Sequence, residues 1–220
     1  HIPRSGGTSI EKNFDYDASK NNYKQKHLTA SKTREIMGEA LWDDYFKFAI
    51  VRNPFDRIIS AWKRGFYEDK PSTNLYNFLL NYKPANHEPK SFLYSDIIDL
   101  ELDYIGKFEN MEHEIQFINK KFNLKHQIVR LEKSQREKTY QLYYDKRTKA
   151  IVTFWHSTDL KKFNYDFNDI NSSTKYNIFE YWFYVAQFMI HSKIKYLKNL
   201  KYFRVLVLAY KKYFGISSQY

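Results

Sequence analysis

The chain contains no cysteine, which excludes disulfide bridges, Cys-ligated zinc, iron–sulfur clusters and a thiol nucleophile. Glycine and proline are scarce, six and five in 220 residues, so collagen-like or linker-dominated architecture is excluded as well. No apolar run is long. The longest, residues 178–190, is interrupted by Glu180 and Gln187 and falls short of the roughly 20 residues a membrane-spanning helix needs. Acidic side chains are nearly absent from one region: residues 171–220 hold eight Lys/Arg against the single acid Glu180, which supplies +7 of the chain's +11.

What is present indicates a folded domain with an appendage. Hydrophobic residues make up 43% and charged residues 28%, enough to build a core and too apolar for wholesale disorder. The charge asymmetry divides the chain into residues 1–170 and a basic, aromatic-rich extension, residues 171–220. A basic balance points to an anionic partner: a nucleotide, a polyanion, a nucleic acid or an acidic membrane surface.

Local patterns alternate between strand and helix. A Gly turn leads into a helical stretch ending near Phe14, and residues 31–41 read as a helix with Ser31 as N-cap. Residues 46–51 form a short apolar, β-prone run. Asn53-Pro54 then supplies a cap and a proline at the first helical position, and Phe55, Ile58, Ile59 and Trp62 recur at helical spacing. Further helices are expected at 75–82, 112–122, 139–144 and 147–163, with strands at 102–108 and 127–131; two more helices are expected beyond residue 173. This alternation predicts an α/β architecture with a mainly parallel sheet flanked by helices, followed by a helical extension.

Two strand–helix junctions carry chemistry. In the first, Arg4, Ser5, Gly6, Gly7, Thr8 and Ser9 have the parts of an anion cradle: glycines that let backbone N–H groups approach an oxyanion, hydroxyl donors, a guanidinium and a helix N-terminus. The GxxxxGK[ST] spacing of nucleoside triphosphatases is missing. An ordinary Gly-Gly turn with capping hydroxyls fits the same residues. In the second junction Arg52 ends a strand and Ser60 follows about two helical turns later, where the pair can grip a second phosphate. Arg57 competes for that role, an Asp56–Arg57 pair fits a solvated surface, and Arg52 also fits a salt bridge tying helix to sheet.

Together the two junctions resemble those of the sulfotransferases that use 3′-phosphoadenosine 5′-phosphosulfate (PAPS), specifically the carbohydrate sulfotransferase superfamily with its Golgi-type and bacterial family 2 branches. The family's opening motif, HIPKTGGTS, stands here as residues 1–9 with Arg4 in place of Lys. Its FVRNPxDRxxSxY motif stands as residues 48–62 with Trp62 in place of Tyr. Gln25 to Ala30, Tyr104 to Asn110 and the stretch from Tyr143 to Phe163 match in order. The resemblance implies a P-loop-like core whose first strand, before the opening loop, is largely missing. It implies that Arg4 to Ser9 hold the 5′-phosphosulfate, that Arg52 and Ser60 hold the 3′-phosphate, and that a loop containing Lys133, Ser134, Arg136 and Lys138 folds over the nucleotide. Arg4 further inherits a catalytic role in stabilising charge on the transferring group, without the proton donation open to Lys, because its pKa stays above about 12.

Sulfuryl transfer needs alignment, charge neutralisation and a base for the acceptor hydroxyl, and histidine titrates in the right range, near about 6.5. Among seven histidines, His27 lies where related enzymes place their catalytic His, and the resemblance selects it; His87 is a substrate-contact alternative, and His113, His126, His156 and His191 read as structural. No HExxH or EF-hand spacing appears, so no required metal is expected. The implied acceptor is a hydroxyl of a glycan or glycolipid. Residues 176–214 interleave aromatics with lysine and fit either a helical pair packed on the core or a surface for anionic lipid or a polyanionic acceptor, with Lys193, Lys195, Lys198, Lys201 and Arg204 on one side. Nucleic acid is a rival partner, but no RNP, KH or zinc-finger pattern supports it, and none is expected to bind. The rival functions are a non-catalytic nucleotide-binding protein of P-loop-like fold and a basic polyanion-binding module. Composition favours a bacterial cytoplasm with membrane association; for a eukaryotic chain the family implies the Golgi lumen.

Overall fold

The computed structural model describes residues 1–14, 27–65, 74–81, 93–124, 139–168 and 174–199. The chain divides into two compact units, His1–Lys175 and Tyr176–Tyr220. In the first, the order is α1 (Gly7–Asn13), α2 (Ala30–Met37), α3 (Glu39–Asp44), β1 (Phe48–Val51), α4 (Pro54–Lys63), α5 (Leu75–Asn81), the one-turn α6 (Tyr94–Ile97), β2 (Tyr104–Lys107), α7 (Met111–Lys121), α8 (Lys146–Trp155) and α9 (Ser157–Lys162). The second unit is described by α10 (Ile178–Asn199).

Both strands fall where the apolar runs lie and pair in parallel, Phe48 opposite Tyr104 and Val51 opposite Lys107. Among the described residues the sheet has only these two strands, so the fold is mostly helical with a small parallel α/β element rather than the wider sheet expected. His1 and Ile2 form no strand, and the expected strand at 127–131 lies outside the described residues. β1 borders a half-open apolar cavity of about 390 Å³, lined also by Ile2, Leu28, Met37 and Trp42.

Helix boundaries follow local chemistry. The Asn53 side chain accepts from the Phe55 N–H at 3.0 Å and Pro54 opens α4, as the sequence predicts. Its apolar spacing buries Phe55, Ile58 and Ile59, each contributing about 1.5–3 kcal/mol. A reciprocal Asp145–Thr148 capping box starts α8. Three expectations are corrected. Thr29, not Ser31, caps α2: its extended backbone points Oγ1 at the Lys32 N–H, 3.1 Å away, while Ser31 bonds Asp99. The single helix expected over 31–41 breaks at Gly38, whose φ of +85° no α-helix accommodates. The helix expected over 147–163 likewise breaks at His156 into α8 and α9.

One buried cluster, Ile2, Val51, Tyr94, Ile97, Ile98 and Phe163, joins the opening loop, the end of β1, α6 and the end of α9. It underlies the carboxyl ends of the parallel strands, the edge at which open α/β folds bind ligands.

Candidate active site

The opening loop turns on two unusual backbone positions, Arg4 at φ +63° and Gly6 at φ +82°. Conformation calls for glycine at Gly6, and contacts crowd a side chain at either glycine. A Cβ on Gly6 would sit 2.4 Å from the Met111 methyl and 2.9 Å from Phe108, and one on Gly7 would strike the His1 ring. Gly6 caps α1 by accepting from the Ser9 and Ile10 N–H groups. The N–H groups of Gly7 and Thr8 have no acceptor among the described residues, as the first turn of a helix dictates.

The second junction folds against this loop. The Arg4 guanidinium donates to Ser60 Oγ from Nε at 3.2 Å and Nη2 at 2.7 Å. Arg52 Nη1 donates to the Arg4 carbonyl at 3.1 Å, so residues of two motifs separated by some fifty positions meet in one place. Arg52 is also gripped by Asp56, which accepts from Nε at 2.8 Å and Nη2 at 2.6 Å, and its guanidinium lies 4.2 Å from the Phe108 ring centroid. Two of the five guanidinium donors remain uncommitted among the described residues. The helix-to-sheet tie foreseen for Arg52 therefore exists and leaves donor capacity. Arg57 does not compete: it is fully buried, bonds the Pro3 carbonyl at 2.9 Å and lies over the Tyr94 ring, while its neighbour Asp56 pairs with Arg52 instead.

His27 stands beside the loop, 8% exposed, with its ring edge-on to that of His1 at 4.6 Å. Its Nδ1 lies 3.0 Å from the His1 carbonyl. A carbonyl only accepts, so Nδ1 carries the proton and Nε2 of the neutral ring is the basic nitrogen. His1 Nε2 is in turn 3.0 Å from the Glu11 carboxylate.

Thus Arg4, Arg52 and Ser60 meet directly, Gly6 packs beside Phe108, and His27 and Gly7 both stand against His1 at the start of the loop. Ser5 is buried with its hydroxyl 3.3 Å from Tyr94, Thr8 is exposed, and Ser9 accepts from the Asn13 amide through its carbonyl. Ser134, Arg136, Lys133, Lys138, His87 and His126 lie outside the described residues. Of the remaining histidines, His113 and His191 are exposed and His156 is buried. Among the described residues no group of three His, Asp or Glu side chains stands close enough to hold a metal ion.

Several site neighbours escaped the sequence. Glu109 accepts from the Asn53 N–H at 2.7 Å and from Tyr165 at 2.7 Å, anchoring the Arg52–Asn53 turn to the end of β2. Tyr140, which Asn53 and the Phe167 carbonyl hold, has its phenol pushed well above the ordinary range by burial and then by Asp56, Asp166 and Glu109. Glu109 lies in the Tyr104–Asn110 stretch already noted for its resemblance; Tyr140 and Tyr94 carried no signal.

The opening turn and the turn after β1 thus form one cluster of guanidinium and backbone donors suited to an anionic ligand, with a histidine beside the opening turn. The family model described as "Sulfotransferase family" matches residues 1–184, and the chain belongs to that family, as a family 2 sulfotransferase and hence a transferase. No curated protein and no solved structure matches the chain.

Proposed function

We propose that the protein transfers the sulfuryl group of PAPS to a hydroxyl of a glycan or glycolipid acceptor by in-line displacement. The observation that carries this reading is the convergence of Arg4, Arg52 and Ser60 on one another from two distant turns. The donor set fits an anionic nucleotide: two guanidinium groups, and first-turn N–H groups at Gly7 and Thr8 that are uncommitted among the described residues. PAPS, when bound, supplies an activated sulfuryl group on a phosphate leaving group.

The chain's own residues then have distinct tasks. His27 Nε2 takes the proton of the acceptor hydroxyl as the new O–S bond forms, while the His1 carbonyl holds its tautomer. Arg4 and the first-turn amides of α1 neutralise the charge that builds on the leaving phosphate as the old S–O bond breaks. Arg4 does this by electrostatics alone, since a guanidinium does not give up its proton. Arg52 and Ser60 hold the 3′-phosphate and so set the register of the nucleotide. Ser134 and Arg136 are assigned to nucleotide binding by resemblance.

For the second unit we propose an anionic membrane surface as partner. Spacing along α10 places Phe179, Trp182, Phe183, Met189, Ile190 and Lys193 on one side, and Lys195, Lys198, Lys201 and Arg204 follow in sequence. Among the described residues no helix is long and apolar enough to cross a membrane.

Adenosine 3′,5′-bisphosphate should raise the melting temperature, because a ligand specific to the native state stabilises it by mass action. A basic nucleic-acid module gives the opposite pattern: no shift with the nucleotide and oligonucleotide binding that falls steeply with salt.

A further inference from the structure

We propose that Tyr94 is a positioning residue that locks the opening loop and the Arg52 turn into one rigid anion site. The proposal rests on the reading of those two turns as the nucleotide site. Tyr94 is fully buried, and its hydroxyl reaches groups 42 and 89 residues away in sequence. It donates to the Arg52 carbonyl at 2.8 Å, accepts from the Arg52 N–H at 2.9 Å and lies 3.3 Å from Ser5 Oγ. A phenol has one hydrogen, and here the Arg52 carbonyl takes it. Ser5 is therefore the donor to Tyr94, and the phenolic oxygen is saturated with one bond given and two received. The Ser5 hydroxyl hydrogen is spent inside the protein, so Ser5 acts as a fastener of the opening loop and leaves anion contact to the backbone and Arg4.

Both ends of Tyr94 are held in turn. Its ring meets Phe163 edge-on at 5.5 Å and lies under Arg57 at 4.4 Å, and Arg57 also bonds the Pro3 carbonyl of the opening loop. Its backbone is fixed by the buried Asp159, which accepts from the Tyr94 N–H at 2.8 Å and the Ser95 N–H at 3.2 Å. His156 Nδ1 donates to the same carboxylate at 3.3 Å, which ties the junction of α8 and α9 to the phenol. Removing the hydroxyl alone leaves the ring packing and the Asp159 bonds intact while releasing both turns, since the Arg52 N–H and carbonyl and the Ser5 hydroxyl lose their common partner. A tyrosine that merely fills the core stabilises the fold without affecting ligand affinity.

The test is Tyr94→Phe, studied well below its melting transition. Hydrogen exchange without nucleotide reads the turns directly: the amides of residues 4–9 and 52–53 should both exchange about tenfold faster or more, with those of α8 unchanged. Titration calorimetry should show adenosine 5′-monophosphate and adenosine 3′-monophosphate each weakened by about tenfold, about 1.4 kcal/mol, and adenosine 3′,5′-bisphosphate weakened by more than either. Faster exchange in only one segment, or loosened turns with unchanged affinities, would overturn the proposal. Loosened turns in a protein whose wild type binds none of the three nucleotides would uphold the lock and remove the nucleotide reading. If Tyr94→Phe does not fold, Ser5→Ala isolates one link: amides 4–9 should loosen and the 5′-monophosphate weaken while amides 52–53 and the 3′-monophosphate are unaffected. Unchanged exchange at 4–9 in Ser5→Ala would refute the lock.

Discussion

Replacing Arg52 by alanine separates a ligand-binding guanidinium from a structural one. Arg52 is 5% exposed, spends three of its five donors on Asp56 and the Arg4 carbonyl, and keeps two. Loss of charge-assisted contacts to a phosphate costs about 1.5–3 kcal/mol. The Asp56 carboxylate, only 13% exposed, would lose the Arg52 guanidinium and would repel the ligand further. Together these place the loss for adenosine 3′,5′-bisphosphate at about 2–3 kcal/mol, or roughly 30- to 150-fold in Kd. Adenosine 5′-monophosphate, which lacks the 3′-phosphate, should lose far less. Titration calorimetry on both ligands, with the bisphosphate repeated on an Arg52→Ala/Asp56→Asn double variant that removes the Asp56 charge, measures each contribution. The double variant should recover part of the loss. Equal losses for both ligands, or none for either, would refute the assignment of Arg52 to the 3′-phosphate and leave only its role in tying α4 to β1.

Three further outcomes are expected. His27→Ala should lower turnover by about 10²–10⁴ at saturating acceptor while nucleotide affinity stays within about twofold, because a base acts in the transition state; unchanged turnover in steady-state kinetics would make His27 a packing residue. Acid should destabilise the first unit in two stages. Burial holds His156 below its ordinary pKa despite Asp159, so the unfolded chain takes up its proton first, and stability present above about pH 6.5 falls as pH drops, by at most about 1.4 kcal/mol per pH unit for one proton. Burial pushes Asp159 up, but hydrogen bonds from His156 and the Tyr94 and Ser95 N–H groups outweigh it and hold its pKa below the ordinary carboxylate range. Its share is therefore lost only below about pH 4. Urea unfolding from pH 7.5 to 3 checks this, and a flat profile between pH 7 and 5 would contradict the His156 assignment. Neutralising Lys193, Lys195, Lys198 and Lys201 together should leave nucleotide affinity intact and weaken binding to phosphatidylserine vesicles by about 1 kcal/mol per charge, read by vesicle sedimentation; undiminished sedimentation would leave the extension a packing element.

The parts of the site legible in the sequence are those whose signal is local. Asn53-Pro54 marks a helix start by chemistry that needs no tertiary partner, and the apolar spacing of Phe55, Ile58 and Ile59 marks the buried face of α4. The Gly-Gly turn and the Arg52–Ser60 spacing were equally readable. Tyr94 was not, because its partners are an N–H and a carbonyl of residue 52, and backbone groups leave no mark on a sequence. Asp159 was hidden for the same reason, capping a one-turn helix 65 residues away. Ser31 misled as a cap because Thr29, two residues earlier, offers an equivalent hydroxyl, and only the backbone angles decide between them. Gly38 interrupts a helical pattern that periodicity alone continues.

The proposed sulfuryl transfer from PAPS at the Arg4–Arg52–Ser60 site, with His27 as base, is open to direct measurement. Its most direct measurement incubates the protein with donor radiolabelled in the sulfuryl group and a panel of glycan and glycolipid acceptors, then counts label in the acceptor fraction. Label is expected in at least one acceptor class, reduced at least a hundredfold in His27→Ala and, at subsaturating donor, by some thirtyfold or more in Arg52→Ala. Label transferred at the wild-type rate by both variants would contradict it, and so would a wild-type protein that neither binds the donor nor labels any acceptor.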